Sequence, residues 1–218
     1  MKKTVLGCGG ILILLLIIFG VGGCGSYNRL VTLDQEVNKR WADVQSVYQR
    51  RADLIPNLVQ TVAGAANFEK STLTEVTNAR ASVGQVKLDP SKAPTDAAQL
   101  EEFQRAQGQL STALSRLLVV SEQYPQLRAT EGFQKLQTQL EGTENRISVE
   151  RNNFNEAVQA FNTAVRRFPT NLLAGMFGFQ PRPFFNAQPG ADKAPEVKFD
   201  FNKPATTPAS VTTPAATP

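Results

Sequence analysis

From Leu30 to Val62 the apolar residues recur three or four positions apart: Leu30, Leu33, Val37, Trp41, Val44, Tyr48, Ala52, Ile55, Val59 and Val62. At that spacing they line one face of an α-helix, whereas a half-buried strand would need strict alternation. A stripe this long has to be covered by other helices, which restricts the chain to helix-on-helix packing. At ~1.5 Å per residue, a helix from Tyr27 to Ala63 reaches roughly 55 Å. Pro56 lies within it, lacks a backbone N–H and crowds the preceding turn, so a kink or a restart is expected between Asp53 and Asn57.

Three further segments carry the same period. Asn67 reads as the N-cap of a helix with Leu73, Val76, Arg80 and Val83, running to about Val86. After the proline-bearing turn Lys87-Leu-Asp-Pro-Ser-Lys-Ala-Pro94, a third begins near Thr95-Asp96 and carries Leu100, Phe103, Gln107, Leu110, Leu114, Leu117, Ser121 and Tyr124 before Pro125. The fourth runs from Thr130 to Arg167, with Phe133, Leu136, Leu140, Thr143, Ile147, Phe154, Val158, Phe161, Val165 and Phe168 on its stripe. No segment sustains period-two alternation. The expected fold is all-α: an antiparallel four-helix bundle with long first and last helices, preceded by an N-terminal membrane segment. The expected parts are an anchor or signal over 1–26, the bundle over 27–168, an aromatic and basic segment over 169–186, and a disordered Pro/Thr-rich tail over 187–218.

The membrane expectation comes from charge. After Lys2 and Lys3 nothing charged appears until Arg29, so Thr4 to Asn28 gives 25 uncharged residues, strongest at Ile11-Leu-Ile-Leu-Leu-Leu-Ile-Ile-Phe19. That suffices for one crossing, and the preceding lysines favour a cytoplasmic N-terminus with the body facing the periplasm or the exterior. Val21-Gly22-Gly23-Cys24 also looks like a bacterial lipobox, in which case Cys24 becomes the lipidated first residue. An uncleaved helix, a lipoprotein and a cleaved secretory peptide are the three readings; the last lacks a convincing A-x-A-like site.

The body is chemically spare. There is no histidine, and the two cysteines, Cys8 and Cys24, both precede Gly25. Ser-His-Asp and Cys-His nucleophiles, zinc sites built on His or Cys, and structural disulfides are thereby excluded from the body. Between Tyr27 and Asn186 there are 18 basic and 16 acidic residues, spread along the chain rather than gathered on one face, so nucleic acid is not an expected partner. Gly20-Val-Gly-Gly-Cys-Gly25 is not a phosphate loop, since no Lys-Ser or Lys-Thr follows it. Glu101-Glu102 and the pair Glu141 and Glu144 could serve acid–base chemistry, yet their helices are rich in solvated charge and the simpler reading is surface. No cofactor, metal ligand set or catalytic residue is expected.

Several separated motifs then agree in order: Tyr27-Asn-Arg-Leu-Val31, Trp41, Tyr48-Gln-Arg-Arg-Ala-Asp-Leu-Ile-Pro-Asn-Leu-Val59, Leu140-Glu-Gly-Thr-Glu-Asn-Arg-Ile147, Phe154-Asn155, Arg166-Arg-Phe-Pro-Thr-Asn171 and Gly175-Met-Phe-Gly-Phe179. Together, over about Tyr27 to Phe185, they resemble the bacterial LemA family. The resemblance implies a helical bundle on a single N-terminal anchor, with no established enzymatic activity and no cofactor. It also implies association of some members with membrane metallopeptidases and of one with magnetosome membranes. The lipobox-like Cys24 and the Pro/Thr tail depart from the usual pattern.

Two clusters remain as candidate sites. If Leu30 is level with Phe168, Arg51 faces the level of Ile147, and Arg50, Arg51 and Asp53 meet Glu141, Glu144 and Arg146 in an inter-helix polar network that sets register. Beyond the fourth helix, Arg166, Arg167 and Arg182 with Leu172, Met176, Phe177 and Phe179 combine basic and aromatic side chains in the manner of a membrane-interface contact; the alternative is that they fold back to cap the bundle. Cys24 is the candidate lipid attachment point. The expected function is a non-catalytic, membrane-anchored scaffold or adaptor of the bacterial envelope. Its expected partners are the membrane and another protein, a membrane metallopeptidase among them, and self-association is compatible with the sequence. The alternative is a ligand-sensing or substrate-presenting subunit of such a membrane complex, and an unassigned hydrolase is a distant third.

Overall fold

The structure, a computed structural model, describes residues 2–186 apart from 66, 67, 87 and 90, with side chains from Cys24 onward. Among these residues all regular structure is helical. Helix α1 runs Lys2–Ala63, α2 Lys70–Gln85, α3 Ala97–Ser121, α4 Pro125–Arg128, α5 Glu131–Arg166 and α6 Thr170–Phe177. Among the described residues no helix is long and apolar enough to cross a membrane. The strongest part of the segment read as an anchor, and the expected tail, lie outside the described side chains, as does Asn67; the N-cap of α2 is Glu69 rather than Asn67, and α2 begins at Lys70.

Local chemistry sets the ends. The Asp96 carboxylate accepts from the Ala98 N–H at 2.9 Å and opens α3, and the Thr130 hydroxyl accepts from Phe133 N–H to open α5. Pro125 does not simply stop α3, which ends at Ser121; it starts the single turn of α4, where its missing N–H costs nothing. Helix α6 closes on Gly178, whose φ of 74° is a left-handed conformation that a side chain would strain.

The chain does not restart at Pro56, which sits exposed inside α1. A proline cannot donate to the carbonyl four residues before it. Here that carbonyl, of Ala52, accepts a hydrogen bond of 3.2 Å from the Arg80 guanidinium of α2. The defect in α1 is thus used as a contact between helices.

Helices α1 and α5 run antiparallel along most of their length. Trp41 meets Phe154 with ring centroids 5.7 Å apart, and Arg51 meets Glu144. This register differs by three residues, about 4.5 Å of helix, from the one that levels Leu30 with Phe168. The cause lies at the end of α5. Pro169 disfavours helical backbone at Phe168, α5 stops at Arg166, and Phe168 is 76% exposed instead of continuing the stripe. Val165 is the last buried stripe residue.

Helix α3 runs in the same direction as α1 and meets it through long side chains across the core, with Phe103 against Tyr48 and Gln107 and Ser111 against Arg51. Helix α2 covers only the end of this assembly that holds Ile55, Leu58, Val62, Leu110, Leu114, Leu117, Phe133 and Leu140, and Val76 joins that cluster. A second cluster, around Val37, Trp41, Val44, Phe103, Phe154, Val158 and Phe161, has no α2 over it. Two non-helical pieces close it instead: Ala93 from the α2–α3 connection and Phe185 from the segment after α6.

Candidate functional site

Between the two apolar clusters lies a polar layer centred on Arg51. Its side chain is 1% exposed. One guanidinium nitrogen donates to Ser111 Oγ at 2.8 Å and to Glu144 Oε1 at 2.6 Å; the other donates to the Gln107 side-chain oxygen. The guanidinium also lies over the Tyr48 ring, 5.2 Å from its centroid. Its Nε has no hydrogen-bond partner among the described residues. Burial pushes the Tyr48 hydroxyl above its ordinary value of 10.0, opposed by the positive charges of Arg151 and Arg51. Thr143, also buried, completes the layer on α5 and turns its hydroxyl back to the Gln139 carbonyl at 2.7 Å.

A second polar centre holds down the chain beyond α6. Pro181 and Pro183 fix extended backbone around Arg182 and remove two N–H groups from this strap. Two of the remaining backbone N–H groups, those of Arg182 and Phe185, are met by asparagines of α5. Asn162 accepts from the Arg182 N–H at 2.7 Å and donates to the Arg182 carbonyl at 2.9 Å. Asn155 does the same for Phe185, at 2.8 and 3.0 Å. The match is geometric: three extended residues cover about 10 Å, and seven helical residues separating the asparagines cover about 10.5 Å. The Arg182 side chain, itself buried, reaches Asp34 Oδ1 at 2.8 Å and the Ala93 carbonyl at 2.9 Å. Asn38 accepts from Ala93 N–H at 3.0 Å, and Trp41 Nε1 donates to the Asp89 carbonyl at 3.1 Å. The Asp89 carboxyl is held below its ordinary range by hydrogen bonds from the Ser91 hydroxyl and backbone. Phe185 stacks on Trp41 and lies edge-on to Phe154.

The expected site residues distribute as follows. The structure brings Arg51 and Glu144 together. Arg50, Asp53, Glu141 and Arg146 are exposed and lie outside this layer: Asp53 accepts from Gln49, and Glu141 from Gln137. Arg182 is not a surface residue, and Phe179 is half-buried against the core, edge-on to Phe161, so neither belongs with the exposed set. Arg166, Arg167, Leu172, Met176 and Phe177 are exposed, Met176 at 78%. Helix α6 tucks in through Ala174 and sets Phe177 against Tyr27 of α1 at 4.8 Å. Cys24 is a free, exposed cysteine on α1. Sequence reasoning missed Asp34, Gln107, Ser111, Asn155 and Asn162. For the last two a signal existed in the seven-residue spacing that places them on one face of α5.

No group of three or more His, Cys, Asp or Glu side chains among the described residues could hold a metal ion. The polar side chains that converge do so on one another or on backbone, in arrangements suited to fixing register and holding a strap.

The profile of the LemA family matches residues 40–199. Relatives include magnetosome protein MamQ 2 of Paramagnetospirillum magneticum, 25% identical, and magnetosome protein MamQ of Magnetospirillum gryphiswaldense, 27% identical, each over 76% of this chain. Protein LemA of Metamycoplasma hominis is 25% identical over 69% of the chain. The chain spans 66% of the length of these MamQ proteins and 64% of that LemA protein. None of these names is that of an enzyme. With the family profile covering well over half of its residues, this chain belongs to the LemA family.

Proposed function

We propose that this chain is a membrane-anchored, non-catalytic helical scaffold or adaptor of the bacterial envelope, in which α1, α2, α3 and α5 act as an antiparallel four-helix bundle on an N-terminal membrane segment. The continuity of α1 carries this reading. The 25 uncharged residues from Thr4 to Asn28 and the amphipathic stripe from Leu30 belong to one helix, Lys2–Ala63. A helix that leaves hydrocarbon and becomes a bundle member without a linker transmits position rather than swinging freely. The lysines at its start favour a body facing the periplasm or exterior. The non-catalytic part is supported by the use of the converging polar groups as structural contacts. The names of the magnetosome relatives agree with a role in an organised assembly. A membrane metallopeptidase is the partner suggested by the family resemblance.

Cross-linking in intact bacterial membranes, followed by identification of co-purified proteins, tests the adaptor role. Recurrent recovery of one envelope protein is expected; recovery of nothing but the chain itself would replace the adaptor by a self-assembling scaffold. Alkaline carbonate washing should leave the full chain in the membrane fraction, and its release would overturn the anchor. Intact mass then decides the chemistry of Cys24, since diacylation there requires loss of residues 1 to 23.

A further inference from the structure

We infer that the cleft between α1, the end of α5 and the start of α6 binds the phosphate of an anionic phospholipid headgroup, an inference that rests on the membrane-anchored reading above. The cleft is open, about 420 Å³ in volume, and its lining includes Arg29, Leu33, Glu156, Thr163, Arg167 and Thr170. Arg29 comes from α1 and Arg167 is the C-cap that follows α5, so two arginines from different parts of the fold line one cleft. Arg29 and Arg167 have no ion pair among the described residues. With Glu156 as the one acidic side chain in its lining, the cleft carries a net positive charge.

Two arginines lining one open cleft give it a positive potential that favours an anion. A phosphate diester fits: its oxygens accept the paired N–H groups of arginine, and the Thr163 and Thr170 hydroxyls are further donors at the cleft wall. Depth selects a lipid over a soluble anion. Arg29 is the first charged residue after the uncharged run and belongs to the same helix, so it falls at the headgroup level when that run occupies hydrocarbon. The same end of the molecule exposes Leu172, Met176 and Phe177 of α6, tied to that level of α1 by Tyr27. An aqueous anion site has no use for this apolar surface, whereas an interfacial one does.

The test uses the full chain in mild detergent, titrated with phosphatidylglycerol or phosphatidylcholine of matched acyl chains and read by native mass spectrometry. Phosphatidylglycerol should bind in preference to phosphatidylcholine. Each of Arg29→Gln and Arg167→Gln should weaken it about fivefold, and the double variant about 25-fold. Glu156→Gln should strengthen it, and Arg146→Gln, exposed and outside the cleft, should leave it unchanged. Thermal melts followed by circular dichroism check folding; if the double variant melts early, the opposite-signed effect of Glu156→Gln decides. Equal phosphatidylglycerol binding by wild type and a folded double variant overturns the inference, and glycerol 1-phosphate binding as tightly as the lipid overturns it in favour of a soluble-anion site. Carbonate extraction separates the two levels. A membrane-integral chain whose double variant keeps its lipid preference overturns the cleft alone, and a chain released by carbonate overturns both.

Discussion

A guanidinium as buried as that of Arg51 has given up its hydration, and it is tolerated because Ser111, Glu144 and the Gln107 side chain replace that water. Arg51→Met removes the charge but leaves the buried Gln107 side-chain oxygen without its donor, so unfolding by urea should show a loss of about 2 kcal/mol. Glu144→Gln should cost less, about 1 kcal/mol, because Glu144 is 43% exposed and glutamine keeps an acceptor. Equal losses would mean that the ion pair, rather than the desolvated guanidinium, dominates. Tyr48 adds a pH dependence whose sign is defined. Its hydroxyl titrates higher in the folded chain than in the unfolded one, so its contribution is intact below 10.0 and is lost as pH rises through the folded value. Stability measured by denaturation should therefore fall above pH 10, and Tyr48→Phe should flatten part of that fall; an unchanged alkaline slope would remove Tyr48 from the account.

At the scale of elements, the strap and the Pro56 defect show how non-helical backbone is made part of a helical body. The strap's proline-fixed extension leaves donors that only side chains can meet, and α5 supplies them from two asparagines two turns apart. Asn155→Ala breaks both bonds to Phe185 and should cost about 1–2 kcal/mol. Because Trp41 is the only tryptophan and stacks on Phe185, its fluorescence reports the strap directly. Asn155→Ala should shift that emission to the red, and no shift would show the strap held by other contacts. The Pro56 region is best read by a double-mutant cycle. Arg80→Ala removes the donor to the Ala52 carbonyl, but in a Pro56→Ala background a restored backbone N–H can take that carbonyl. The loss from Arg80→Ala should shrink by about 0.5–1 kcal/mol in that background, and additivity would mean that Arg80 acts only through α2 packing.

For the whole molecule, the polar layer divides one helical body into two apolar clusters closed in different ways: α2 covers one, and the connection at Ala93 with the strap covers the other. The layer penalises any slip of α1 against α5, since a shift of one turn would set Arg51 against Leu140 or Ile147 and bury an unpaired charge. Truncation after Phe168 removes Arg182 and Phe185, and should lower hydrogen-exchange protection around Trp41 and Phe154 more than around Leu58 and Leu117. Uniform loss of protection would show the two clusters to be a single cooperative unit. The end of the molecule closed by the strap also carries Tyr27, α6 and Arg29, so the proposed membrane contacts and the strap share a foundation.

The stripes of α1, α3 and α5 and the starts of α3 near Asp96 and of α5 at Thr130 were legible in the sequence, because a 3.6-residue period and its onset are local properties; the capping bonds themselves, and Glu69 rather than Asn67 at the start of α2, were not. So was the absence of imidazole and thiol chemistry from the body, which is composition alone. The all-helical class and the family motifs follow from the same local signals. What depends on three dimensions was not legible. Register rests on which residue α5 stops at, and stripe counting carried it three residues too far by including Phe168 across the Pro169 boundary. Arg182 read as a surface cation because its partners, Asp34 and Ala93, are 148 and 89 positions away in sequence, and a buried charge is indistinguishable from a solvated one until its partner is in place. The Ala52 carbonyl left free by Pro56 could be deduced from the sequence, yet its acceptance of Arg80 required α2 to be docked. Local periodicity therefore determined the helices, while desolvation and hydrogen-bond satisfaction, which arise only between segments distant in the chain, decided how they meet.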